Sequence, residues 1–144
     1  MDLPEQLSEL FSFKHFENYP HVQVPQEFLD GRGSITNIAD GALGDVAIIR
    51  SKTQSIRANH THEKDWHLSY LISGSMFYFW KDSPNAEISK KVEVRPGELI
   101  YTPPKTPHKM LFTSDSIFVA VAALNRSQEA YEEDTSRLPE SFFD

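Results

Sequence analysis

Cysteine is absent from all 144 residues. Disulfides, thiolate metal sites and cysteine nucleophiles are thereby excluded together, and any bound metal must take nitrogen or oxygen ligands. Long apolar runs are missing as well: the most apolar stretch, IFVAVAAL at 117–124, falls far short of the roughly 20 residues that cross a bilayer. The first residues, MDLPEQLSELF, carry no basic segment followed by an apolar run, so no secretory leader is expected and the expected location is the cytoplasm. Positive charge is scarce. Lys and Arg total 14 against 21 Asp and Glu, the net charge is −7, and Lys90–Lys91 is the only adjacent basic pair. A chain so charged has no electrostatic footprint for nucleic acid or for an anionic membrane surface. Internal repeats, low-complexity tracts and long linkers are also lacking, which leaves a single domain over 1–144.

What is present describes an ordinary globular core, with 39% hydrophobic residues, ten of them Phe. Leu3, Leu7, Leu10 and Phe11 recur at helical spacing behind Asp2, Pro4 and Glu5, which predicts a short helix or arm within 1–20. From residue 20 the texture changes to short β-rich runs closed by turn residues. HVQV stops at Pro25, SITNIA follows Gly31 and Gly33, and DVAIIR follows Gly44. HLSYLIS ends at Gly74, MFYFW at KDSPN, EISKKVEVR at Pro96–Gly97 and LIYT at Pro103–Pro104, while KMLFT and IFVAVAAL flank Ser114–Asp115–Ser116. So many short strands with no helical pattern between them predict an all-β barrel or sandwich, a jelly roll fitting best, with its core at about 28–125. The stretch 126–144 reads as a polar acidic tail in which Ser127, Glu129 and Ala130 can open a short helix. MFYFW is bulky and apolar at both parities, which predicts cover on both faces; a second subunit is one such cover, and a homodimer is the expected assembly.

Histidine supplies the one concentration of chemistry. Three of only six, His60, His62 and His67, fall within eight positions. On an extended strand His60 and His62 share a face at about 6–7 Å of rise, a spacing for two ligands of one ion. The polar turn EKDW can bring His67 back beside them, on a strand whose inward residues are His67, Ser69 and Leu71. TPPKTPH then leads into His108 along a proline-stiffened path. Four imidazoles suit one divalent transition metal, Zn, Fe, Ni, Mn or Cu, better than Mg or Ca.

These residues carry a resemblance to the cupins. His60-x-His62-x4-His67-x6-Gly74 is similar to their first motif, Gly-x5-His-x-His-x3–4-Glu-x6-Gly. Gly97-x5-Pro103-x-Lys105-x2-His108-x3-Phe112 is similar to their second, Gly-x5-Pro-x-Gly-x2-His-x3-Asn. Gln54, Lys105 and Phe112 stand where the motifs have Gly, Gly and Asn, and His67 stands where they have Glu. The resemblance implies a double-stranded β-helix whose pocket gathers His60, His62, His67 and His108 as metal ligands.

Within the superfamily, LDGRGSI at 29–35 and TPPKTPHKMLFTSDSIFVAVA at 102–122 resemble the cupins that epimerise or isomerise deoxy-sugar nucleotides, and YEEDTSRLP resembles their C-terminal Tyr and Asp/Arg stretch. The implied ligand is a small molecule, a sugar or sugar nucleotide. By resemblance the base maps to His60 or His62, the acid to Tyr70, Tyr78 or Tyr101, and the diphosphate contacts to Arg32, Arg57 or Lys105. Histidine is suited to proton transfer near neutral pH, yet a histidine bound to metal has no lone pair to give a proton. The alternatives are an Fe- or Cu-dependent dioxygenase and a non-catalytic carbohydrate-binding or sensory cupin.

Overall fold

The computed structural model describes residues 20–39, 43–125 and 127–144. The helix or arm expected within 1–20 lies outside them, except for Pro20. Twelve short strands and one helix make up the described elements: β1 His21–Gln23, β2 Glu27–Asp30, β3 Gly33–Thr36, β4 Asp45–Ser51, β5 Ile56–His62, β6 His67–Ser73, β7 Met76–Trp80, β8 Lys90–Val94, β9 Leu99–Thr102, β10 His108–Phe112, β11 Ser116–Ala122, α1 Gln128–Asp134 and β12 Thr135–Arg137. The fold is all-β, as the alternating runs predict. Two five-stranded sheets are ordered β1-β9-β6-β11-β4 and β12-β5-β10-β7-β8, and β2 and β3 pair only with each other. The ladders are antiparallel throughout. From β4 onward, successive strands alternate between the two sheets apart from the β7–β8 hairpin, the winding of a jelly roll. No helix among the described residues is long and apolar enough to cross a membrane.

Side-chain parity sorts the two hydrophobic clusters. Leu71, Ile100, Phe118 and Ala120 of the first sheet meet Met76, Tyr78, Val94, Met110 and Phe112 of the second, all nearly or fully buried. Phe112 and Phe118 stack across this interior at 5.6 Å. The opposite parity of the first sheet carries Leu68, Leu99 and Val121, which Trp66 covers together with Ile38, Ala39, Tyr70 and Tyr101. Both faces of β11, and most of both faces of β9, are therefore apolar, while β6 is apolar outward at Leu68 and Tyr70 and mixed inward at His67, Ser69 and Leu71. On β7, Phe77 and Phe79 face outward. The chain itself supplies their cover: the alkyl stems and ammonium groups of Lys91 and Lys109 lie over these rings, and Phe143 packs at 6.4 Å from Phe79.

Among the described residues, four non-glycine positions hold positive φ: Gln54 at 68°, Ala58 at 64°, Asn59 at 54° and Lys105 at 62°. Gln54 and Lys105 are the two positions where the cupin motifs have Gly and this chain does not. The left-handed turns survive because their backbone bonds require them: Gln54 N–H donates to Phe112 O at 2.7 Å and Lys105 N–H to His62 O at 2.6 Å. Each L-residue held there costs roughly 1–2 kcal/mol. Gly74 has φ 92°, and a Cβ at that position would stand 2.1 Å from Ser116 Oγ and 2.5 Å from the Asp115 carbonyl oxygen.

These contacts predict opposite outcomes for two substitutions. Gln54→Gly is expected to raise stability by about 0.5–1 kcal/mol, the relief of strain outweighing the added freedom of the unfolded chain. Gly74→Ala is expected to lower it by more than about 2 kcal/mol through strain and overlap with backbone. Urea unfolding midpoints measure both, and a destabilised Gln54→Gly would contradict the strain assignment.

Candidate functional site

The site forms at one end of the interior, where β5, β6 and β10 converge. His60 lies directly opposite His108 across the β5–β10 ladder, but the next pair is Ala58 with Lys109, so β5 carries one extra residue there. This bulge is made by the left-handed Ala58 and Asn59. Asn59 is held by the tail: its Nδ2 donates to Leu138 O and Pro139 O at 3.1 and 3.3 Å, and its carbonyl accepts Leu138 N–H. The bulge reverses a parity. Arg57 is three residues from His60 and would face away on a regular strand. It pairs instead with Met110, two residues beyond His108, so Arg57 and His60 share the interior face. Both line a cavity of about 130 Å³ with His67, Ser69, His108 and Tyr131, closed on its apolar side by Ile49, Met110, Phe118 and Ala120.

All four expected histidines are buried, between 2% and 8% exposed. Ring centroids are 4.3 Å apart for His60–His62, 4.8 Å for His60–His108 and 4.6 Å for His62–His67. Their donor atoms divide into two groups that share His62. His60, His62 and His108 each offer a nitrogen within 4.8 Å of the others, and a nitrogen of His62, a nitrogen of His67 and a carboxylate oxygen of Asp65 lie equally close to one another. In the first group the outer nitrogens are engaged. His108 Nδ1 lies 2.9 Å from Thr106 O; a carbonyl only accepts, so Nδ1 carries the proton. His62 Nδ1 lies 3.2 Å from Thr135 Oγ1, and His60 Nδ1 3.4 Å from the Tyr131 hydroxyl. His60 Nε2 is buried with no hydrogen-bond partner among the described residues. Burial first, and then the neighbouring histidines, push His60 far below its ordinary value. Burial likewise pushes His108 down to about 4, against a raising contribution from the Thr106 carbonyl. Neutral imidazoles with their outer N–H groups occupied and an orphaned inner nitrogen are what a divalent transition ion requires of its ligands.

His67 belongs to a different arrangement. Its Nε2 lies 2.9 Å from Asp65 Oδ2, and Asp65 Oδ1 accepts the Leu124 amide at 3.0 Å. Burial alone would raise Asp65, but hydrogen bonds and charge from His67, the Leu124 amide and His62 hold it below the ordinary carboxylate value. An ionised Asp65 can only accept, so it keeps a proton on His67 Nε2.

The other expected site residues are scattered. Arg57 reaches the cavity, with Nε on Ser51 Oγ at 2.6 Å and Nη2 on Arg50 O at 2.9 Å. Lys105 sits on an exposed loop with Nζ 3.7 Å from Glu63, and Arg32 pairs with Asp30 at 2.7 Å on the exposed β2–β3 hairpin; neither lines the cavity. Tyr70 and Tyr101 are on the outward parity of the first sheet, in the Trp66 cluster, and burial raises Tyr101 to about 12. Tyr78 points inward but is fully buried, stacks on His108 at 6.0 Å and bonds Thr102 Oγ1 at 2.8 Å. Burial lifts its hydroxyl well above the ordinary value despite that bond. Of the three tyrosines only Tyr78 touches the histidines, as packing against a ring. The tyrosine that lines the cavity is Tyr131.

The family model described as Cupin domain (Cupin_2) matches residues 44–123, more than half of the chain. The chain is a cupin. By sequence, no curated protein is significantly similar to it. Among solved structures, the sugar 3,4-ketoisomerase of Thermoanaerobacterium thermosaccharolyticum in complex with TDP superposes with a TM-score of 0.68 at 19% identity, over 87% of this chain and 92% of that one. The dTDP-4-dehydrorhamnose 3,5-epimerase of Sulfolobus tokodaii gives 0.72 at 16% identity, over 94% and 85%. A 3'-monoepimerase of Streptomyces bikiniensis in complex with dTDP-quinovose gives 0.68 at 15%, over 84% and 70%. At these identities the likeness is one of fold.

Sequence reasoning missed Asp65, Tyr131, Asp134 and Thr135 in this cupin. Asp65 stands two residues before His67 in a turn, where an acidic residue is expected for solvation alone. Tyr131 falls in the YEEDTSRLP stretch, whose resemblance marks the segment but not its contact with residues some 70 positions earlier.

The depressed histidines set a pH dependence. In metal-stripped protein the unfolded chain takes up a proton at His108 near its ordinary 6.5, whereas the folded chain resists until about 4. Stability is therefore complete above pH 6.5 and falls as pH drops toward 4, by about 1.4 kcal/mol per unit for each such histidine. Thermal unfolding between pH 7 and 4.5 measures the slope, and His108→Asn is expected to flatten it. A profile independent of pH in the parent protein would contradict neutral burial.

Proposed function

We propose that this cupin is a cytoplasmic isomerase or epimerase of a sugar derivative, a sugar nucleotide fitting best, in which His60, His62 and His108 hold one divalent transition metal. The observation that carries the reading is the division of the histidine cluster: three imidazoles whose outer nitrogens are engaged, and beside them His67, bonded to Asp65, lining the same cavity as Arg57. When bound, the ion supplies Lewis-acid stabilisation to the oxygen of a ketone. The division resolves the conflict between ligand and base, because the two tasks fall on different histidines. His67, oriented by Asp65, is placed to take a proton from the carbon beside the ketone, with Nε2 held on Asp65 and Nδ1 bearing the lone pair. The Tyr131 hydroxyl, on the helix that closes the cavity, is placed to return a proton. Arg57 is the one cation among the described residues that line the cavity, suited to an anionic group such as a diphosphate. The fold relatives crystallised with TDP or dTDP-quinovose support the ligand class.

The apolar wall of Ile49, Met110, Phe118 and Ala120 supports a second reading, a metal-dependent dioxygenase of an apolar substrate.

Metal analysis tests the centre that both readings share, and deuterium exchange and oxygen consumption separate them. Protein purified without an affinity tag is expected to carry close to one equivalent of a transition metal by elemental analysis; less than about a tenth, persisting after supplementation, would remove the centre. In D2O, keto-sugar nucleotides are expected to gain deuterium beside the ketone. Asp65→Asn and His67→Asn should each slow that exchange by about a hundredfold or more, and Arg57→Ala should raise KM more than it lowers kcat. Oxygen consumption with diketones or phenolics, and no deuterium uptake, would favour the dioxygenase.

A further inference from the structure

We propose that Thr135 is a positioning residue that fixes which nitrogen of His62 faces the metal centre, an inference that rests on the metal-holding reading above. Thr135 lies directly opposite His62 in the β12–β5 ladder. Its hydroxyl has a single hydrogen, and that hydrogen is donated to the Tyr131 carbonyl, which can only accept. Toward His62 the Thr135 oxygen is therefore an acceptor. At 3.2 Å from Nδ1 it demands an N–H there, which puts the lone pair on Nε2.

The neighbouring residue reinforces the assignment. Asp134 Oδ2, a carboxylate oxygen that can only accept, stands 3.8 Å from the same Nδ1 with its side chain only 9% exposed, which places a second acceptor on that side of the ring. The same carboxylate accepts the amides of Lys64 and Asp65 at 2.9 and 3.0 Å, so it also pins the turn from which Asp65 reaches His67. His108 obtains its orientation locally, from a carbonyl two residues away. His62 depends on a segment 73 residues downstream. The tail is thus the outer support of the centre, and the hydroxyl of Thr135 is the atom that selects the tautomer.

Outer partners of this kind change metal affinity by about 10–100-fold when removed. The test is titration of the metal-free full chain with Co2+, read by visible absorption and by competition with a chelator, in the parent, Thr135→Val and Thr135→Ser. Valine keeps the shape and loses the hydroxyl; serine keeps the hydroxyl. The expected result is a 10–100-fold weaker affinity and an altered absorption spectrum for Thr135→Val, with Thr135→Ser within about threefold of the parent. Equal affinity in Thr135→Val and the parent would overturn the inference, and so would equal losses in both variants, which would trace the effect to the methyl group. Circular dichroism of the metal-free variants checks that the fold is intact. A parent that binds no Co2+ would remove the centre itself, a failure distinct from that of Thr135.

Discussion

Two consecutive left-handed residues, Ala58 and Asn59, decide what faces the interior of this cupin. One extra residue in β5 resets the alternation of side chains, so that Arg57, His60 and His62 all turn inward from a strand that would otherwise send Arg57 to the opposite face. Such backbone costs free energy, and the structure offsets it with contacts from far along the chain. Asn59 is tied to Leu138 and Pro139 by hydrogen bonds in both directions. The bulge and the tail are therefore one construction, and the strain sits beside the histidine cluster.

Desolvation then determines the state of the histidines. Enclosed by two sheets, His60 and His108 are held neutral, because a buried imidazolium among other imidazoles has neither water nor a nearby anion to stabilise it. His67 has a different neighbour, the Asp65 carboxylate against its Nε2. A cluster of four similar side chains is divided by its hydrogen-bond partners into two groups, the arrangement on which the proposed division into ligands and an acid–base pair rests. The partners, not the ring identities, assign the tasks.

Much of this was legible in the chain. Strand boundaries at HLSYLIS, MFYFW and LIYT coincide with β6, β7 and β9 because apolar runs closed by Gly, Pro and Asp encode them locally. The inward set His67, Ser69, Leu71 follows from simple parity on a regular strand. Parity also places Tyr70 and Tyr101 outward once Ser69, Ile100 and Thr102 are known to face in, but which face is inside depends on the opposing sheet. The left-handed turns at Gln54 and Lys105 were hidden, since neither residue type advertises positive φ.

Taken alone, the sequence determined an all-β architecture, a nitrogen and oxygen ligand chemistry, and four histidines at spacings able to meet. These follow from local periodicity, from the absence of thiols and from turn residues, all of which act over a few positions. Only the tertiary structure decided that Arg57 shares a face with His60, that Asp65 claims His67, and that Tyr131 and Thr135 complete the site from the tail. Those outcomes depend on a bulge and on pairings across some 70 residues, where the deciding contacts join segments that share no local pattern.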